Sequence, residues 1–200
     1  MRHMYSWYLE TPRTDELYIY YEKALNPEEC KQVIELGLDP NITVHETPAV
    51  SSGDGWRINS EVRKGRIGWI KVLPETEWLF RRVTDLINGV NKQFFNYDLL
   101  NIENFQFTEY TDNSDFYGPH IDMMHRANAT RKLSFSIQLS EPDSYEGGEL
   151  VLHYGKSGET MDKKQGTSFF FPSWTLHEVT PVTKGTRYSL VGWVNGPRFR

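Results

Sequence analysis

The sequence holds a single cysteine, Cys30, in 200 residues. That excludes an intramolecular disulfide and a cysteine-built zinc cluster, and a reducing compartment is the simplest setting for such a chain. No run of about twenty apolar residues is present, so no membrane-spanning helix is expected. Residues 1–7 lack the apolar core of a secretory signal. The resulting expectation is a soluble cytoplasmic protein without a membrane partner and with no obligate protein partner evident. Basic residues are in deficit, with 22 Lys and Arg against 27 Asp and Glu and a formal net charge of −5. That balance argues against a broad nucleic-acid surface, which needs a basic stripe. Repeats, low-complexity tracts and an evident interdomain linker are also missing.

What is present is a globular composition, 38% hydrophobic and 14% aromatic, that favours a β-rich interior. The length suits one domain over residues 1–200, with strands and supporting helices in 1–100 and a β core in 101–200. Residues 17–22 read as a strand. Asn26, Pro27 and Glu29 form a helix start, with Gly37 near that helix's end. A second helix is expected over about 75–94, its stripe being Trp78, Leu79, Val83, Leu86, Ile87 and Val90. Residues 43–64, with Ser51-Ser52-Gly53-Asp54-Gly55, are too polar and glycine-rich to be regular throughout. They read as a surface loop or a substrate lid. From residue 101 the pattern turns to short β runs at 105–110, 133–139, 150–153, 168–171, 178–182 and 188–194, which favours a sandwich or jelly roll.

His120-Ile121-Asp122 sets an imidazole and a carboxylate at i and i+2, on one face of an extended strand. His177, in a second apolar stretch, supplies a third candidate ligand. Two His and one carboxylate with other positions open suit non-haem Fe(II) oxygenases. Arg187 follows His177 by ten residues, across the turn-like Thr183-Lys184-Gly185. Among the other histidines, His125 reads as loop or rim, with Met123, Met124 and residues 126–131 beside it. His45 and His153 read as ordinary polar positions, and Glu178 as outward-facing.

Longer stretches carry a resemblance. They are Tyr117-Gly118-Pro119-His120-Ile121-Asp122, Arg131-Lys132-Leu133-Ser134, Leu139-Ser140, Tyr145-Glu146-Gly147-Gly148-Glu149-Leu150, Phe171-Pro172-Ser173, and the run from His177-Glu178-Val179 to Arg187. In order and spacing, over roughly residues 100–195, the chain resembles the Fe(II)- and 2-oxoglutarate-dependent dioxygenases, in their prolyl 4-hydroxylase-like branch. The resemblance implies a mainly β fold with flanking α-helices, a double-stranded β-helix (jelly roll, cupin-like). It implies Fe(II) on His120, Asp122 and His177, 2-oxoglutarate with its distal carboxylate on Arg187, dioxygen as co-substrate and ascorbate as a reductant. Tyr110 is implied at the cosubstrate, and Tyr117 faces substrate; plain aromatic packing is the competing role for both. Gln138 stands where some prolyl hydroxylases have Tyr and offers an amide donor to the carboxylate. Arg63 with Trp69-Ile70 resembles an Arg-x-Ser motif, with Gly65 in place of Ser, and is a candidate substrate contact. Trp193 is a candidate pocket floor or a core residue.

The implied reaction hydroxylates a prolyl residue in a peptide or protein and releases succinate and CO2. A free amino acid or small metabolite as substrate, or a noncatalytic metal-holding jelly-roll binding module, are the alternatives. A carboxylate at Asp122 favours hydroxylation over halogenation. Trp193, where nucleic-acid demethylases of the superfamily carry a second Arg, disfavours that branch.

Overall fold

The computed structural model describes residues 16–52, 55–123 and 129–198, with the strands at 50–52 and 55–57 described by their backbone only. The chain opens with β1 (Ile19–Tyr21) and helix α1 (Pro27–Leu38). It goes on through β2 (Thr43–Glu46), β3 (Val50–Ser52), β4 (Gly55–Arg57), β5 (Arg63–Lys64) and β6 (Arg66–Ile70) to helix α2 (Glu77–Val90). There follow β7 (Asn101–Ile102), β8 (Phe105–Thr111), β9 (Phe116–His120), β10 (Arg131–Gln138), β11 (Tyr145–Gly147) and β12 (Leu150–Tyr154). The last strands are β13 (Ser157–Thr160), β14 (Ser168–Pro172), β15 (Leu176–Val179) and β16 (Val182–Asn195).

α1 starts where its capping residues dictate. Asn26 Oδ1 accepts from the Glu29 amide at 2.9 Å and the Glu29 carboxylate accepts from the Asn26 amide at 2.8 Å, which satisfies two donors the helix cannot pair internally. Gly37 does not terminate α1. It lies inside the last turn, where an added Cβ would stand 2.3 Å from the Phe107 ring, so its smallness lets the helix lie against β8. α2 continues into a wide turn over Asn91–Phe95 that closes at Asn96, φ 53°.

Two sheets form the β core. The larger runs in the order β1-β14-β10-β16-β8-β6-β2, with β7 and β11 also paired to β16, and the smaller runs β13-β12-β15-β9-β5. Alternation on the large sheet separates two cores. Phe105, Phe107, Phe170, Leu190 and Val194 pack with Val33 of α1 and with Leu79, Val83 and Ile87 of α2. Tyr110, Phe169 and Phe171 face the small sheet through Leu150, Leu152 and Val179. The helices therefore cover one face of the large sheet, and the small sheet covers the other, as in a double-stranded β-helix. Among the described residues no helix is long and apolar enough to cross a membrane.

Three readings are corrected. Residues 43–64 are not a plain loop: β2 extends the large sheet beside β6, β3 and β4 form a hairpin, and β5 pairs with β9. Backbone pairing at sheet edges outweighs weak side-chain propensity there. The expected strand at 178–182 is two strands, because Thr180 turns its amide to Glu149 O and Pro181 has no amide to donate. Thr183-Lys184-Gly185 is no turn. It belongs to the 14-residue β16, which runs on through the region expected as a separate strand, with Gly185 at φ 72°.

Candidate active site

β9 ends at His120, and the small sheet sets that residue directly opposite His177 of β15. Asp122 lies just past β9, where its own amide and that of Met123 both donate to Ser173 O, at 2.9 and 2.8 Å. The three side chains converge, with a ligand atom of each within 4.8 Å of the others. His120 Nε2 is 3.6 Å from Asp122 Oδ1, and His177 Nε2 is 3.5 Å from Asp122 Oδ2. Each Nδ1 is tied to a backbone carbonyl two residues back, Gly118 O for His120 and Thr175 O for His177, both at 2.9 Å. Those bonds place the proton on Nδ1 and turn the Nε2 lone pairs toward one point beside the carboxylate.

Electrostatics agree with a cation at that point. Burial, reinforced by His177, lowers the His120 pKa to about 3, against the attraction of Asp122. The ring is neutral at physiological pH. Burial works to raise the Asp122 carboxyl, but the two histidines and hydrogen bonds from Ser134 and Trp193 hold it below its ordinary value. The site thus presents a neutral His120 ring beside an ionised Asp122 carboxylate. Ser134 Oγ donates to Asp122 Oδ2 at 2.7 Å and meets Ser173 Oγ at 2.9 Å.

A cavity of about 470 Å³ opens beside this cluster, and Arg187, Tyr110, Tyr117, Arg63 and Trp193 also line it. Arg187 is 1% exposed, sits opposite Tyr110 in the β8–β16 ladder, and has no carboxylate partner among the described residues. Its Nη2 donates to Gln138 Oε1 at 2.8 Å and its Nη1 to Ser189 Oγ at 3.1 Å, while Nε is buried without a hydrogen-bond partner among the described residues. Gln138 accepts from Arg187 through Oε1, while its Nε2, the donor expected to meet the cosubstrate carboxylate, is buried without a partner among the described residues; Gln138 itself does not line the cavity. Gly65 accommodates the Tyr110 ring, since a Cβ there would lie 2.6 Å from Tyr110 Cδ1.

Tyr117 stacks on His120, with ring centroids 3.5 Å apart, and burial pushes its phenol up to about 12. Arg63, 7% exposed, also lies over the Tyr117 ring, its guanidinium 4.2 Å from the centroid. A second, outer cavity of about 910 Å³ shares Arg63, Tyr117, Asp122 and Trp193 and is bounded by Glu46, Thr47 and Ala49 of the 43–64 segment. Trp193 joins both spaces, 8% exposed, beneath the Arg131 guanidinium at 3.8 Å.

Elsewhere, His153 is not an isolated polar residue: its Nε2 meets Glu178 Oε1 at 2.9 Å across β12 and β15. His45 has both ring nitrogens buried without a partner among the described residues. The expectations for His125, Met124 and residues 126–128 lie outside the described residues. Sequence reasoning assigned no role to Ser134, Ser173, Gln106 and Ser189. The signal was there in the polar alternation of Gln106-Thr108 and of Ser134-Ser136-Gln138 through otherwise apolar strands, a pattern that lines a wet face.

The sequence model of the 2OG-Fe(II) oxygenase superfamily matches residues 105–195. A PKHD-type hydroxylase of Maricaulis maris is 47% identical over 79 residues, 39% of this chain and 36% of that relative. The chain thus spans about a third of the length of that curated relative. Among solved structures, a Trichoplax adhaerens prolyl hydroxylase, in complex with a hypoxia inducible factor oxygen degradation domain peptide fragment, aligns with a TM-score of 0.73 at 19% identity. That alignment covers 90% of this chain and 84% of the other. A Pseudomonas putida prolyl-4-hydroxylase aligns with a TM-score of 0.64 at 20% identity over 90% and 93% of the two chains. These two share the fold. The segment matched by that superfamily's model carries both the His-Asp-His cluster and Arg187.

Proposed function

We propose that this chain is an Fe(II)- and 2-oxoglutarate-dependent dioxygenase that hydroxylates a prolyl residue in a peptide or protein. The observation that carries the proposal is the juxtaposition, on one cavity, of the His120-Asp122-His177 cluster and a buried Arg187 that makes no salt bridge among the described residues. The donor set fits Fe(II): two imidazoles whose Nδ1 atoms are tied to backbone carbonyls, one ionised carboxylate, and no fourth protein ligand in the cluster found among the described residues. His120, Asp122 and His177 would hold the metal. When bound, Fe(II) supplies activation of dioxygen coupled to oxidation of 2-oxoglutarate, yielding succinate, CO2 and a hydroxylated product.

The rest is the work of the protein's own groups. Arg187 binds the distal carboxylate through its planar fork, and Gln138 and Ser189 hold the guanidinium still. Tyr110 covers the cosubstrate's flank. Tyr117, Arg63 and Trp193 border the route from the outer cavity and exclude water when substrate lies there. The PKHD-type name of the sequence relatives and the peptide-bound prolyl hydroxylase neighbour support a prolyl residue as target. Residues 1–100 and 101–200 act as one catalytic unit in this reading, supported by the core that α1 and α2 share with β8, β10 and β16. The lone Cys30 suits a cytoplasmic setting.

The test is anaerobic loading with Fe(II) and 2-oxoglutarate, then dioxygen and quantification of succinate, with and without proline-containing peptides. Wild type should form succinate, Asp122→Ala should form none, and Arg187→Ala should recover only at much higher 2-oxoglutarate. Stoichiometric metal without succinate from any peptide would point instead to a binding module.

A further inference from the structure

The cavity contains one arrangement twice. Arg187 Nη2 donates to Gln138 Oε1 of β10, and Arg63 Nη2 donates to Gln106 Oε1 of β8 at 2.5 Å. Both guanidinium groups are buried, both keep Nε without a partner, and neither has a carboxylate within ion-pair reach among the described residues. Four other described arginines behave differently: Arg66, Arg81, Arg82 and Arg131 are each paired with a glutamate. A neutral amide orients a guanidinium without cancelling its charge. A buried charge left this way gains most from an anionic ligand that completes its hydrogen bonds.

The two sites differ in place. Arg187 lines the inner cavity alone, whereas Arg63 lines both the inner and the outer one. On the proposed reading, the doubly positive metal, Asp122, the doubly negative cosubstrate and Arg187 cancel in charge. Arg63 then leaves one positive charge at the substrate side. Tyr117 covers a face of that guanidinium but supplies no formal charge.

We infer that Arg63, held by Gln106, is a second carboxylate-binding site and that the substrate bears a carboxylate close to the carbon that is hydroxylated. The carboxylate belongs either to a free α-carboxyl group or to an Asp or Glu side chain flanking the target proline. The inference rests on the dioxygenase reading and narrows its substrate class.

Calorimetric titration of the protein loaded anaerobically with Mn(II) and 2-oxoglutarate tests it. The probes are matched pairs: free proline against prolinamide, and blocked pentapeptides with a central proline carrying Asp or Asn, or Glu or Gln, at each flanking position. At least one acidic probe should bind ten-fold or more tighter than its amide twin, and Arg63→Gln should erase that difference while 2-oxoglutarate affinity stays within about two-fold. Arg63→Lys, which keeps the charge, should retain part of the preference and guards against a folding defect in the first variant. The free-proline and peptide arms tell the two carboxylate sources apart. Equal binding of every acid and amide pair, or no binding of any acidic probe, overturns the inference. So does a loss of 2-oxoglutarate affinity in Arg63→Gln as large as in Arg187→Gln. Succinate formed by the Fe(II)-loaded wild type without any probe keeps the dioxygenase reading intact in those cases; its absence together with absent metal binding would remove that reading itself.

Discussion

Ser134 donates its hydroxyl to Asp122 at 2.7 Å from the strand adjacent to the one that bears Ser173's neighbours, so β10 and β14 together hold the carboxylate that faces both histidines. Removing that donor leaves Asp122 free to rotate away from the point on which the Nε2 atoms converge. Ser134→Ala should weaken Fe(II) or Mn(II) binding roughly 10- to 100-fold, the usual effect of losing an outer partner of a metal ligand. Competition against a chelator of known affinity measures it. An unchanged affinity would mean that the hydroxyl only packs.

Arg187→Lys keeps the positive charge and loses the two-pronged geometry. Charge-assisted hydrogen bonds contribute about 1.5–3 kcal/mol each, so the Kd for 2-oxoglutarate should rise about 10- to 150-fold while metal affinity holds. Titration of the Mn(II)-loaded protein with 2-oxoglutarate reads both. A Kd within three-fold of wild type would argue that the distal carboxylate lies elsewhere.

At Gly65 the chain departs from the Arg-x-Ser pattern for a visible reason: φ is 147° and a Cβ would press on the Tyr110 ring. Gly65→Ser should cost roughly 2–5 kcal/mol, combining a backbone region that side chains avoid with overpacking. For a chain of this size that lowers the Tm by about 5–15 °C, as a thermal melt would report. A neutral outcome would show that Tyr110 yields readily.

Cys30 is fully buried, and burial with Glu29 nearby raises its thiol from about 9 to about 12. The unfolded chain loses that proton above about 9 and the folded chain does not, so the thiol's titration leaves stability unchanged below that pH. Between about 9 and 12 stability should fall with rising pH, and the fall should be shallower in Cys30→Ala in urea unfolding series. Native protein should also resist iodoacetamide at pH 8.5 and react once denatured.

Much of this was legible in the residues. The α1 start was, because Asn26, Pro27 and Glu29 act on backbone groups within one turn of themselves. The strand pattern after residue 101 was too, because alternation records which face is buried. The His120-Asp122 pairing was read on the premise of a continuing strand, but β9 stops at His120 and it is the Ser173 carbonyl that brings Asp122 round. That bond is non-local, and no local pattern reports it. Gln106 and Gln138 escaped for the same reason: a polar residue in a strand announces a wet or partnered face, not which partner waits across the sheet. The 43–64 segment was misjudged because edge pairing satisfies backbone groups whatever the side chains are.

β16 carries Arg187, Ser189, Val191 and Trp193 toward the cavity, while Leu190 and Val194 turn to the helices. A single strand therefore holds two interleaved records, one answering to ligands and the other to folding. Substitution at the first set can retune what the pocket accepts without touching the second. Insertion or deletion of one residue between Arg187 and Trp193 would exchange the two sets and forfeit both. Variation in this lineage should thus proceed by replacement at alternate positions, with the length of that interval held constant.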